Sequence, residues 1–224
     1  MQLSFRYAIL AIAALSVHAQ TAENAPGRLA NVARPATLRE NTGLPPRAAA
    51  SDYPAHAKVG TVTMAAEFTE HGIPTAEAPL TSETYVAVEV AIYGPEGTRL
   101  PVSYSDFSLR INGKKKAIQA EPFERVGTSV KDPEWTPPEK PEKSSSTSLG
   151  GGGGDSSAPP PRPPAELRRA WAKRVMQAAL AEGERPLPRA GLLYFSYGGK
   201  AKGIRSLELV YEGAAGKATL KLTP

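Results

Sequence analysis

Short runs in which apolar and polar residues alternate recur along this chain, separated by clusters of glycine and proline. The first clear run puts Val62, Met64, Ala66 and Phe68 on one side and Thr63, Ala65 and Glu67 on the other, the period of two that a half-buried strand requires. A loop through His71, Pro74 and Pro79 follows. The strongest run, residues 85–93, carries Val86, Val88, Val90 and Ile92 on one face and Glu89 on the other, and is predicted to lie at the centre of a sheet. Gly94-Pro95-Glu96-Gly97 interrupts it with turn chemistry, and Phe107, Leu109 and Ile111 resume the alternation up to Asn112-Gly113. A two-residue type I′ turn needs positive φ at both central positions, which an Asn-Gly pair tolerates best. Residues 114–119 are therefore predicted as the returning strand of a hairpin.

The alternation then stops. Between about residues 132 and 164 lies a tract crowded with proline, glutamate, lysine and serine, containing glycines 150–154 and the run Pro159-Pro160-Pro161-Arg162-Pro163-Pro164. Such a composition buries too little apolar surface to offset the entropy of ordering the chain. The proline run has the outline of a polyproline ligand, but a stiff spacer is the simpler reading. Beyond it, Pro164 and Glu166 suit the start of a helix, Gly183 suits its end and Pro186 prevents continuation, which predicts a helix over 165–182. Leu167, Trp171, Val175 and Ala178 share one stripe, while Met176 and Leu180 fall elsewhere on the wheel, and the helix is expected to pack on the sheet through Trp171. Three more strand patterns follow at 191–197, 204–211 and 217–222, the last two joined by a turn at 213–216.

Roughly seven short strands with turns between them place the chain in the mainly all-β class, as a β-sandwich with one inserted α-helix. The division along the chain reads as a signal peptide over 1–19, a flexible leader over 20–57, the first part of the sandwich over 58–132, a disordered insertion over 133–163, and the helix with the remaining strands of the same sandwich over 164–224.

The signal peptide rests on Arg6, an apolar run over 7–17 and the small-residue ending Val17-His18-Ala19, with cleavage expected after Ala19. The apolar run is about half of the roughly 20 residues a bilayer-spanning helix requires, so a retained anchor is the weaker reading. The expected location is therefore periplasmic or secreted, with no transmembrane helix after cleavage. The chain has no cysteine. It has neither a disulfide framework nor the lipid-acceptor cysteine of a bacterial lipoprotein, and stability must come from a buried core. Lysine and arginine number 27 against 22 acids, giving a formal net charge of +5. These charges are scattered along an exported chain, so no nucleic-acid partner is expected. The one dense basic run, Lys114-Lys115-Lys116, lies beside the predicted turn and reads as exposed charge that discourages edge pairing.

Candidate chemistry is sparse. His56 and His71 are the only histidines after the signal, no H-x-x-x-H or cysteine pair exists, and neither a metal nor another cofactor is expected. Asp52 near His56 reads as solvated leader. The serine elbow G-x-S-x-G is missing, and glycines 150–154 run into Asp155-Ser156-Ser157 without the lysine of a phosphate loop. Gly198-Gly199-Lys200 follows a strand pattern and reads as a turn in preference to an anion cradle. Glu121 with Glu124, and Glu182 with Glu184, could be pictured as an acid and base for glycoside hydrolysis, a reaction that needs two carboxyls converging across a sugar-sized cleft.

Three blocks carry a resemblance: Tyr85-Val86-Ala87-Val88-Glu89-Val90, then Phe107-Ser108-Leu109-Arg110-Ile111-Asn112-Gly113-Lys114, and later Ala190-Gly191-Leu192-Leu193-Tyr194-Phe195. Together they resemble immunoglobulin-like extracellular domains of bacterial lipoproteins, in which a V-x-V-x-V strand precedes an F-x-L-x-x-x-G hairpin and a later G-x-L-x-F strand. The resemblance implies a module that binds other proteins or faces the cell envelope, and it carries over no catalytic residues. This chain differs in lacking the lipid-anchoring cysteine and in carrying the proline tract and helix before the late strand.

Trp171, Tyr194, Tyr197 and Trp135 are the candidate interaction residues, since aromatic rings anchor protein interfaces, with Trp135 expected to pin the start of the tract to the sandwich. Tyr85 and Tyr93 are expected beside them at the sheet edges. The expectation is a non-catalytic binding or structural module whose partner is another envelope or extracellular protein. Two alternatives stand beside it. One is a carboxylate-dependent hydrolase acting on cell-wall or polysaccharide substrates. The other is a membrane-surface protein using Arg168, Arg169, Lys173 and Arg174 around Trp171 as an interfacial helix.

Overall fold

In chain order the elements are β1 (Ala55–Val59), β2 (Val62–Phe68), β3 (Gly72–Ile73), β4 (Leu80–Ser82), β5 (Tyr85–Tyr93), β6 (Arg99–Val102), β7 (Phe107–Ile111), β8 (Ile118–Glu121), α1 (Phe123–Val126), β9 (Val130–Lys131), α2 (Ala165–Ala178), β10 (Gly183–Pro186), β11 (Arg189–Ser196), β12 (Leu207–Gly213) and β13 (Gly216–Leu222). They are taken from a computed structural model that describes residues 41–138 and 162–224. The expected signal peptide, residues 20–40 of the expected leader and residues 139–161 of the proline tract lie outside the described residues.

The described residues are mainly β, with antiparallel sheets and two helices. Eight strands form one sheet in the order β1-β2-β5-β11-β8-β7-β12-β13, with small sheets β10-β6 and β3-β4-β9 beside it. β8 decides the architecture: it pairs with β11 through Glu121 and Ala120, and with β7 through Gln119 and Ile118. The two outer strands, β1 and β13, also pack beside each other. The result is a continuous sheet rolled nearly into a barrel, where strand count and alternation had pointed to a sandwich of two facing sheets. Both architectures place every second side chain inside, so period alone does not separate them.

Alternation gives the barrel its core. Val62, Met64 and Ala66 of β2, Val86, Val88, Val90 and Ile92 of β5, Phe107, Leu109 and Ile111 of β7, and Leu220 and Leu222 of β13 all join one buried cluster. β5 lies between β2 and β11, and β11 between β5 and β8, which makes β5 a central strand as the sequence predicts. The outer face of these two strands is covered as well. Ala87 of β5 and Leu192 and Tyr194 of β11 join Trp171, Val175 and Ala178 of α2 in a second cluster.

Three of the differences from the expected boundaries have a clear tertiary reason. α2 stops at Ala178, short of the expected 182, because Ala179 turns extended and bridges Leu192 while the Leu180 N–H donates to the Leu192 carbonyl at 2.9 Å. Gly183, with φ +85, begins β10 and does not cap the helix. Residues 41–57, assigned to a leader by composition, are packed: the Leu44 N–H donates to the Ala190 carbonyl at 3.0 Å, Tyr53 is 3% exposed, and β1 already begins at Ala55. Finally, Asn112 and Gly113 do adopt positive φ, but β8 begins only at Ile118, in register Ser108↔Gln119, two residues later than a two-residue loop allows. Asn112 is held elsewhere: its Oδ1 accepts from the Arg205 N–H at 2.7 Å, and its Nδ2 donates to the Gly203 carbonyl at 2.9 Å. Lys114, Lys115 and Lys116 are exposed in the widened loop.

Candidate functional site

The four candidate aromatic residues fall into two groups. Trp171 is 2% exposed on the inner face of α2, and Tyr194 is fully buried beneath the same helix, where its hydroxyl donates to the Val175 carbonyl at 3.2 Å. Burial, with Tyr104 adding, pushes the Tyr194 phenol far above its usual pKa. These two rings bind the helix to the sheet and are not presented at a surface, which corrects the expectation for both. Trp135 and Tyr197 are half-buried. Trp135 meets Trp171 edge-on with ring centroids 6.4 Å apart, so it fixes the start of the tract onto α2. Tyr197 lies over the ring of His71, centroids 6.2 Å apart and 25° between planes. Tyr85 and Tyr93 are also half-buried.

Arg168, Arg169 and Lys173 of α2 are exposed, but Trp171 and Arg174 are not, so the helix does not display an aromatic wedge ringed by cations. Arg174 faces inward. Its Nε donates to Thr75 Oγ1 at 3.3 Å, a terminal nitrogen donates to the Ala78 carbonyl, and Glu77 and Asp132 lie 3.7 and 3.6 Å away. It closes one side of a cleft of about 500 Å³ formed by residues 42–45, residues 74–77 and the last turn of α2. Leu44, Pro45, Pro74, Ala76 and Ala178 make much of that wall apolar. The sequence reading missed this cleft because one wall comes from the stretch assigned to the leader. A second cleft, of about 300 Å³, lies between residues 127–130 and the first half of α2, with Arg168 and Arg169 on its rim.

Of the four carboxylates proposed as acid and base, Glu121 and Glu182 are bound into the framework. Glu121 accepts from the Tyr85 hydroxyl at 3.2 Å and from Arg125 at 3.4 Å. Glu182 accepts from the Ser103 hydroxyl at 2.9 Å and the Tyr104 N–H at 2.8 Å. Glu184 faces Arg99 at 3.7 Å across the β10-β6 pair, and Glu124 is exposed on α1. Sequence gave no sign of a third group on the outer face of β2 and β5. There Glu67 and Glu89, directly opposite in register, both engage Arg47, whose guanidinium sits 4.1 Å above the Tyr53 ring. The Tyr53 hydroxyl donates to Glu89 at 2.9 Å and the Tyr93 hydroxyl to the Arg47 carbonyl at 2.8 Å. This network fastens residues 47–53 to the sheet; burial is the main reason the Tyr53 phenol is held above its usual pKa.

His56 is exposed on β1. Both ring nitrogens of His71 lie against backbone carbonyls, those of Tyr85 and Gly199, so the Gly198-Gly199-Lys200 turn offers a carbonyl to this ring. Among the described residues, no group of three or more histidines, aspartates or glutamates is placed to hold a metal ion, and no helix is long and apolar enough to cross a membrane. No family model matches the chain, and no curated protein or solved structure matches it.

Proposed function

We propose that this chain is an exported, non-catalytic binding or structural module of the bacterial cell envelope, acting in the periplasm or outside the cell on another protein. The observation that carries the reading is the cleft beside α2. Its wall is largely apolar, and the one buried cation in it, Arg174, is already engaged by Thr75, Ala78, Glu77 and Asp132. A concave, largely apolar surface whose buried cation is already engaged suits an apolar segment of a partner better than it suits bond-making chemistry. The carboxylates considered for hydrolysis support the same reading, since Glu121 and Glu182 each serve as acceptors between elements. Kinship with immunoglobulin-like extracellular domains, and an immunoglobulin-like origin of the rolled sheet, belong to this proposal and rest on the three strand blocks of the sequence.

The test compares capture from an envelope extract by the chain and by Ala76→Arg, which fills the cleft without touching the core. Loss of one captured protein in the variant supports the reading. Turnover of peptidoglycan or a polysaccharide that disappears in Glu121→Gln/Glu124→Gln or in Glu182→Gln/Glu184→Gln overturns it. Export is tested separately by the intact mass of the secreted product: cleavage after Ala19 is expected, and a retained Met1 removes the compartment from the proposal.

A further inference from the structure

His71 sits in the turn between β2 and β3, and its ring bridges two segments far apart in sequence. Nδ1 lies 2.8 Å from the carbonyl oxygen of Tyr85, at the start of β5, and Nε2 lies 2.8 Å from the carbonyl oxygen of Gly199, in the loop after β11. A carbonyl oxygen only accepts, so each contact is a hydrogen bond only when that ring nitrogen carries a proton. Neutral imidazole has one N–H and the imidazolium has two. Both contacts are satisfied together only by the charged ring. The Gly199 backbone runs close to the Tyr197 ring, which itself lies over His71: a Cβ at Gly199 would stand 2.6 Å from that ring.

We propose that His71 is a proton-operated latch on the loop formed by residues 198–200. Protonated, it donates Nδ1–H to Tyr85 and Nε2–H to Gly199, tying the loop to the start of β5. When the ring loses one proton, a nitrogen lone pair faces a carbonyl oxygen at hydrogen-bond distance, and one contact must open. The contact to Gly199 is the one released, because it is exposed and water can serve both groups, whereas the contact to Tyr85 is partly buried. Nδ1–H stays on Tyr85, and residues 198–200 swing outward from a cleft of about 370 Å³ that they share with His71, Thr81, Ser82 and Glu83. The charged groups around the ring are Glu83 and Lys200 in that cleft, Glu70 beside it in the chain, and Lys131, which holds Glu83 at 2.7 Å. None of these is hydrogen-bonded to the ring, whose two nitrogens face the Tyr85 and Gly199 carbonyls.

The experiment is NMR on the purified full chain between pH 5 and 8, following the His71 ring nitrogens together with amide protection at Gly203, which donates to the Lys200 carbonyl at 2.9 Å. Protection factors remove the intrinsic pH dependence of exchange. At pH 5 both ring nitrogens should report as N–H. As the ring deprotonates, protection at Gly203 should fall roughly tenfold, the order expected for losing one charge-assisted hydrogen bond. His71→Gln should show low protection at every pH, and His56→Gln should behave as the parent. A loop whose protection does not follow the ring, or one that keeps its pH dependence in His71→Gln, overturns the proposal.

Discussion

Gly191 is the third residue of β11, between Ala190 and Leu192, and a Cβ there would lie 2.4 Å from the Leu180 Cα and 2.5 Å from its nitrogen. The segment leaving α2 crosses directly over it, so a glycine inside a strand marks a close backbone approach. Gly191→Ala should cost about 3 kcal/mol or more, because backbone and not a flexible side chain has to move; an unchanged urea midpoint would show that the crossing is absent. Trp171→Ala, which empties the space between α2 and β11, should cost ~3–5 kcal/mol. An unchanged melting temperature together with weakened binding to anionic vesicles would instead return the helix to a membrane surface. The buried phenols give a pH prediction. Burial raises the pKa values of Tyr53, Tyr104 and Tyr194 in the folded state. A raised folded value means that their contribution is complete below the unfolded value of about 10 and is lost as pH rises beyond it. Stability should therefore fall above about pH 10 by ~1.4 kcal/mol per pH unit for each such tyrosine. Phenolate absorbance should rise together with loss of the β-sheet circular dichroism signal; phenolates that form while the sheet persists would contradict it.

At the scale of elements, strand type and position were readable wherever one face is apolar and the other polar, as in β2, β7 and β13. Element ends were not, because partners far along the chain set them. Leu192 draws Ala179 and Leu180 out of the helix, and residues 203–206 capture Asn112 at the end of β7. The second case yields a prediction: Asn112→Ala removes the acceptor for Arg205 and Ser206 as well as the donor to Gly203. It should cost ~1–2 kcal/mol by the usual worth of such bonds, with the slope of ΔG against urea unchanged. An effect confined to the local turn would leave the chemical shifts of residues 203–206 where they are, and that result would remove Asn112 as a pin.

For the whole molecule, the rolled sheet leaves a seam where β1 and β13 pack beside each other, while β5 and β11 each have a strand on both sides and are buried on both faces. Amide exchange should be slowest in β5 and β11 and fastest in β1 and β13, since opening at the seam exposes the least apolar surface. Equal protection throughout would mean that the barrel is closed by a full ladder. By itself, the sequence determined that the described residues build a mainly β fold with an amphipathic helix, that β5 is central, and that Trp171 faces the sheet. Each of these follows from residue types at short, regular spacing, which local sterics and hydrophobicity read directly. The tertiary structure alone decided that the strands roll into one sheet through β8, that residues 41–57 pack as part of it, and that Tyr194 is core. It also placed Arg47 on Glu67 and Glu89, Arg174 in a cleft and His71 between two carbonyls. These depend on contacts between residues tens of positions apart, and chain pattern carries no record of which distant segment meets which.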